Sequence, residues 1–193
     1  GSTGMMGSML SSLLRNDQRF NILCTYRNTN KVKFLDLKKK QKTKIEIFNK
    51  HELNKLIHKF NPDYLINCIG LIKQLCRKEN LQFIKYLNTD LPKIIALSAK
   101  KNKFNVIHLS TDCVFSGNKG NYTELDFPDA KDIYGISKFH GEIESKSVIN
   151  IRTSIIGHEL TTNLSLLNWF LRQKKIGGFK KAYFSGLTTL ELS

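Results

Sequence analysis

Gly1-Ser-Thr-Gly4-Met-Met-Gly7 opens the chain, and an amphipathic run with Met6, Leu10, Leu13 and Leu14 on one stripe follows at once. This is the pattern of a glycine-rich turn entering a helix. Such a turn lets the backbone approach a pyrophosphate closely and aims free N–H groups and the positive helix end at it. Gly1, Thr3, Gly4, Met5, Met6 and Gly7 are therefore candidate cofactor-binding residues. Outward from the turn, strand-like runs at 21–26, 32–35, 64–68, 106–110 and 148–153 alternate with helix-like runs. That alternation is the signature of a parallel sheet with helices on both faces. Between the strands, Leu53, Leu56, Ile57 and Phe60 recur at helical spacing, and residues 81–101 read as a long helix interrupted at Pro92. The Gly-, Pro- and Asp-rich stretch 118–132 breaks the rhythm and reads as a loop.

At 193 residues the chain is long enough for one α/β domain with a sizeable core. The turn begins at residue 1, where a delivering strand is normally found, and the chain ends in Leu187-Thr-Thr-Leu-Glu-Leu-Ser193; both ends read as those of a fragment. The net charge of +15 raises the question of nucleic acid, but the basic residues are spread along 38–44, 100–103 and 174–181. No aromatic residues interleave with them as a stacking platform would, so no nucleic-acid partner is expected. Cys24, Cys68, Cys76 and Cys113 show no metal spacing, which suits a reducing cytoplasm and implies no metal site. The longest nearly apolar run, 64–72, is too short to cross a bilayer, so no membrane insertion is expected.

Tyr134-Gly-Ile-Ser-Lys138 puts a phenol and an ammonium four residues apart, on one face of what reads as a helix. An adjacent cation favours the phenolate, so the pair reads as a proton-delivery device. Ser110-Thr111-Asp112 follows the apolar run Val106-Ile-His-Leu109, and Thr111 stands 23 positions before Tyr134. A hydroxyl at that strand end is placed to hold a carbonyl oxygen.

Together these segments resemble the extended short-chain dehydrogenase/reductase superfamily, in detail its dTDP-4-dehydrorhamnose reductase branch. The resemblance rests on Gly1 to Gly7, Asn67-Cys-Ile-Gly70, Asn88-Thr-Asp-Leu-Pro92, His108-Leu-Ser-Thr-Asp-Cys-Val-Phe-Ser-Gly117, Tyr122-Thr-Glu124, Tyr134 to Lys138 with Gly141-Glu142, and Ile151-Arg-Thr-Ser154. It implies an α/β, Rossmann-type doubly wound parallel sheet, lacking its first strand and most of the C-terminal substrate lobe. The implied domains are an NADP-binding one over 1–153 and the start of a substrate-binding lobe over 154–193.

The resemblance also implies roles. Tyr134 would give a proton to a substrate keto oxygen as a nicotinamide delivers hydride, Lys138 would lower the Tyr134 pKa and hold the nicotinamide ribose, and Thr111 would orient the carbonyl. Asp36 and Leu37 match adenine contacts, although a plain strand-end Asp is the alternative; Asn67, Cys68, Ile69, Gly70, Asn88 and Ser110 match the nicotinamide side. No carboxylate lies between Asp17 and Asp36, and Arg27 closes the 21–26 run, so NADPH is favoured over NADH. Arg27 reads equally as a solvated loop residue. Asp112, Cys113, Ser154 and His158 are candidate substrate residues. Cys113 stands where the rhamnose-forming branch usually has an aromatic and where GDP-fucose synthases, which epimerise before reducing, have a cysteine; with His158 as partner it would move a proton on carbon beside a ketone. The alternative is a small buried apolar cysteine. A nucleotide-diphosphate sugar is the implied substrate, and a homodimer is left open. A cofactor-binding regulatory subunit on the same fold is the reading from a different class.

Overall fold

A computed structural model describes residues 1–193. In chain order its elements are α1 (Met5–Leu14), β1 (Cys24–Tyr26), α2 (Thr29–Val32), β2 (Lys42–Lys44), α3 (Lys50–Phe60), β3 (Tyr64–Asn67), α4 (Lys73–Cys76), α5 (Leu81–Lys85) and α6 (Leu91–Asn102). There follow β4 (Asn105–Leu109), α7 (Ile133–Phe139), β5 (Val148–Ile151), β6 (Ile155–Ile156), α8 (Leu166–Leu171), β7 (Leu187–Thr188) and α9 (Thr189–Leu192). The named strands all pair in parallel, which needs crossover connections between them. The chain forms two compact units, Gly1–Phe60 with Ser154–Ser193, and Asn61–Thr153.

In the first unit, the glycine turn is pinned to β1: both the backbone N–H and the hydroxyl of Ser2 donate to the Thr25 carbonyl, the latter at 2.8 Å. A Cβ on Gly7 would overlap the Gly1 carbonyl oxygen and stand 2.8 Å from the Ser2 Cα, so only glycine lets α1 start this close to the turn. The buried face of α1 is Met6, Gly7, Ser8 and Ser11 rather than the expected Met6–Leu10–Leu13–Leu14 stripe, and Leu13 is exposed. Small residues win because helix and turn backbones meet closely; Ser11 satisfies itself by donating to the Gly7 carbonyl at 2.6 Å.

The expected strand at 32–35 is not one. Asn28 caps α2 by accepting from the N–H groups of Asn30 and Lys31, and a 3-10 turn over Lys33–Leu35 continues it. Val32 and Leu35, three apart, then share one face and join Leu37 in a core against Ile22, Cys24, Tyr26 and Leu160. β1 pairs instead with the polar segment Lys42–Lys44, which carries no apolar signal.

In the second unit, β3, β4 and β5 form one sheet in that order, with Asn67 opposite His108 and His108 opposite Asn150. The long helix at 81–101 is present, but its irregularity precedes Pro92: a π-helical turn over Tyr86–Asp90 joins α5 to α6. Pro92 has no N–H for the Asn88 carbonyl, so the turn widens there. A Cβ on Gly141 would overlap that same Asn88 carbonyl oxygen. Replacing Gly141 by Ala is accordingly expected to cost ~1–3 kcal/mol by forcing α7 and the π turn apart. Urea unfolding of the two proteins measures this, and equal midpoints would contradict the close approach.

Candidate active site

Tyr134 and Lys138 stand one helical turn apart on α7. Asp132 begins that helix by accepting from the N–H groups of Tyr134 and Gly135, and Lys73 anchors Asp132 at 2.9 Å. A Cβ on Gly135 would overlap the Cys113 carbonyl oxygen and lie 2.6 Å from the Ala130 Cβ. The helix therefore lies directly on the 3-10 turn Asp112–Val114 that follows β4, and this contact sets Tyr134 beside Thr111. Thr111 is buried and caps the turn by accepting from the Cys113 N–H at 3.1 Å. Burial pushes the Tyr134 phenol up to about 12, against which the neighbouring Thr111 hydroxyl pulls down while Cys113, Asp112 and Cys76 push further up. Burial, and not the expected lowering by Lys138, therefore sets the Tyr134 pKa.

Lys138 is 4% exposed and donates from Nζ to the Leu109 carbonyl at 2.6 Å. Burial brings it down to about 8, while Glu142 and Cys68 raise it. Gly70 packs close to it: a Cβ there would stand 3.4 Å from Lys138 Nζ and 3.3 Å from Asn88 Oδ1. Asn88 itself is fully buried; its Oδ1 accepts from the Leu71 N–H at 2.7 Å and its Nδ2 donates to Ser137 Oγ at 3.0 Å. The expected ligand contact of Asn88 is therefore spent as a brace between the Gly70–Leu71 segment and α7. Thr89 reinforces it by donating to the Ser137 carbonyl at 2.7 Å.

Two further groups around the site carried no sequence signal beyond lying in matched segments. His108, in an apolar strand, is 1% exposed and held neutral, its pKa brought down to about 3 by burial and by Lys138. Neutral His108 Nδ1 accepts from Asn67 Nδ2 at 3.1 Å, and Asn67 Oδ1 takes the Ile69 N–H, fixing the Cys68–Gly70 loop. The second group is Glu142, which accepts from Ser110 Oγ at 2.6 Å and is paired with Arg152 at 2.7 Å. Ser110, expected on the cofactor side, spends its hydroxyl there.

The remaining expected residues are placed as follows. In the second unit, Cys113 is half-buried and burial raises its thiol, so it stands as the thiol rather than the thiolate. Asp112 lies beside Thr111, whose hydroxyl reaches its carboxylate at 3.3 Å. In the first unit, no side chain caps α1 and no acid stands in its first turn. Arg27 is exposed; Asp36 adopts a left-handed backbone at φ 42° and pairs with Arg15 at 2.8 Å; the Leu37 side chain is in the core rather than open to a ligand. His158 faces Asn168 at 3.2 Å, and the Ser154 carbonyl accepts from the Leu187 N–H.

Lys138 makes stability depend on pH in a defined direction. Its native value of about 8 lies below the ordinary 10.5, so the native state sheds the proton first and stability rises with pH across that window. At ~1.36 kcal/mol per unit, the unfolding free energy of the protein minus that of Lys138→Met is expected to rise by about 2–3 kcal/mol between pH 8 and pH 10. Denaturant titrations at a series of pH values test it, and a flat difference would show a solvated ammonium.

The model of the RmlD substrate binding domain matches residues 1–167. The dTDP-4-dehydrorhamnose reductase of Aggregatibacter actinomycetemcomitans is 28% identical over 160 residues, 80% of this chain and 49% of its own. Methionine adenosyltransferase 2 subunit beta of Mus musculus is 24% identical over 142 residues, 74% of this chain and 40% of its own. The chain thus spans about half the length of the curated relatives it matches. A dTDP-4-dehydrorhamnose reductase of Clostridium acetobutylicum superposes with a TM-score of 0.77 at 20% identity, over 100% of this chain and 65% of that one. Among other structural neighbours, a Bacillus anthracis dTDP-4-dehydrorhamnose reductase (TM-score 0.64, 21% identity, 80% of this chain and 52% of that one) was solved with NADP. WbmG of Bordetella bronchiseptica (0.69, 19%, 84% and 54%) was solved with NAD and UDP. With more than half its length matched and its parallel α/β layout shared, the chain belongs to the RmlD substrate-binding-domain family of extended short-chain dehydrogenases/reductases and has their Rossmann-type fold.

Proposed function

We propose that the protein is an NADPH-dependent reductase of a nucleotide-activated 4-keto-6-deoxy sugar, acting in the cytoplasm toward cell-surface polysaccharide. The observation that carries this reading is the pairing of the Tyr134 phenol with the Thr111 hydroxyl in a buried place one helical turn from an ammonium. Reduced nicotinamide, when bound, supplies the hydride.

The chain's own residues do the rest. In the first unit the uncapped start of α1 would hold a pyrophosphate, and the glycine cradle fits it. In the second unit, Lys138 Nζ beside Gly70 would meet a ribose hydroxyl. The Thr111 hydroxyl would orient the keto oxygen. Tyr134, held up at about 12, keeps its proton until that oxygen gathers negative charge. A developing alkoxide is far more basic than a phenolate, so transfer then runs downhill. Lys138 stays charged below about pH 8 and offsets the phenolate that remains.

Similarity to a methionine adenosyltransferase subunit supports a second reading, a cofactor-binding regulatory subunit. The joint presence of Thr111, Tyr134 and Lys138 weighs against it. Oxidation of NADPH in the presence of a panel of 4-keto sugar nucleotides separates the two. Tyr134→Phe is expected to bind NADPH nearly as the original does and to lose at least about 99% of turnover; retained turnover would remove Tyr134 as proton donor. Arg27→Ala should weaken NADPH more than NADH, and equal weakening would contradict the preference.

An epimerase/reductase would use Cys113 as an acid or base. Its raised thiol and the engagement of His158 with Asn168 favour reduction alone. Substrate incubated in deuterated water is expected to take up no deuterium beside its ketone, whereas Cys113-dependent uptake would establish epimerisation.

A further inference from the structure

Glu142 lies four residues after Lys138, on the turn that closes α7: the N–H of Gly141 donates to the Lys138 carbonyl and that of Glu142 to the Phe139 carbonyl. Its carboxylate is almost fully occupied. Oε1 accepts from Ser110 Oγ at 2.6 Å and from Arg152 Nε at 3.0 Å; Oε2 accepts from Arg152 Nη2 at 2.7 Å and Nε at 3.2 Å. This is the planar two-point grip that guanidinium and carboxylate make best. Ser110 is the residue before Thr111, and Arg152 follows β5 directly. Arg152 also stacks over the Phe115 ring, 5.2 Å from its centroid, and Phe115 stacks on Tyr122 at 4.4 Å. One carboxylate therefore ties together the ends of β4 and β5, the last turn of α7 and the aromatic lip of the 118–132 loop.

We infer that Glu142 is a positioning residue for the Tyr134–Lys138 site, locking the strand end that carries Thr111 to α7 while keeping a negative charge beside Lys138. The inference deepens the reductase reading and rests on it for its catalytic meaning. The geometry gives Glu142 two separable effects. As a hydrogen-bond acceptor it fixes Ser110, and through it Thr111. As a charge it supports the buried ammonium, whose pKa it raises.

The other ionisable groups facing Lys138 are Cys68 beyond β3, which also raises it, and neutral His108 on β4. Facing Glu142 are Arg152, and across the adjoining cavity Lys93 of α6, Glu124, His140 and Glu144. Arg152, a cation held on the same carboxylate at 2.7 Å, is expected to oppose Glu142 in its effect on Lys138. Removing one member of the pair is therefore expected to shift Lys138 in the direction opposite to removing the other, although both changes break the same ion pair. A merely structural role predicts no such opposition.

The test is the titration of Lys138 followed by the 13Cε resonance of labelled lysine, assigned by its absence in Lys138→Arg, with no cofactor or substrate added. Glu142→Gln is expected to lower the Lys138 midpoint by about one unit, and Arg152→Met to raise it. Should Glu142→Gln fail to fold with Arg152 left unpaired, Glu142→Gln/Arg152→Met keeps the question open to measurement and is expected to lower the midpoint by a smaller amount. Shifts of the same sign in the two single variants, or an unmoved midpoint where Glu142 is neutral, would overturn the inference. Because the titration needs no turnover, its result stands apart from the reductase reading, which fails only if the unaltered protein oxidises no NADPH with any 4-keto sugar nucleotide.

Discussion

Helix α7 rests on the turn after β4 with no side chain between them at Gly135, and the chemistry of the second unit depends on that contact. It brings the half-buried Tyr134 phenol against the buried Thr111 hydroxyl, and burial lifts the phenol to about 12. A phenol so placed is a poor acid in the resting protein and a good one only toward an oxygen that is becoming an alkoxide. Under the proposed reductase reading, selectivity for the transition state over the ground state would follow from the packing itself. Asp132 at the start of α7, Asn88 and Thr89 beside its middle and Glu142 at its end each hold the helix by hydrogen bonds, so its position is fixed at three levels.

Placing an ammonium in the same surroundings carries an electrostatic penalty, visible in Lys138 at about 8. The structure offsets that penalty with the Leu109 carbonyl and the Glu142 charge, and keeps His108 neutral so that no second cation competes. Glycine works with these polar groups rather than apart from them. Gly70 lets its loop lie close to Lys138 and Asn88, Gly135 admits the turn that carries Thr111, and Gly141 admits the carbonyl that Pro92 leaves without a helical donor. In the first unit Gly7 does the corresponding work for the glycine-rich turn that enters α1.

The alternation of helices and strands, the turn entering α1, and the placing of Tyr134, Lys138 and Thr111 were legible because each depends on local spacing. The strand expected at 32–35 was misread because Val32 and Leu35 serve a helical face as well as an extended one, and only the Asn28 cap decides between them. β2 was invisible because Lys-Thr-Lys pairs through its backbone alone. Asn88, Ser110 and Leu37 were matched to ligand-side positions, yet their side chains are taken up inside the protein. A motif fixes where a residue sits on the chain, while the direction of its side chain is set by long-range partners such as Ser137 and Glu142. The rise of the Tyr134 pKa through burial lies outside the motif for the same reason, since desolvation belongs to the fold and not to the spacing.

The central claim is that this buried Tyr134–Thr111–Lys138 arrangement transfers a proton in step with a hydride. Incubating the protein with [4,4-2H2]NADPH and a 4-keto-6-deoxy sugar nucleotide, then reading the product by mass spectrometry and NMR, tests it most directly. The account predicts one deuterium at sugar C4 for each NADPH oxidised. Tight NADPH binding with no deuterium at C4 under any substrate in the panel would contradict it and assign the chain to cofactor binding alone.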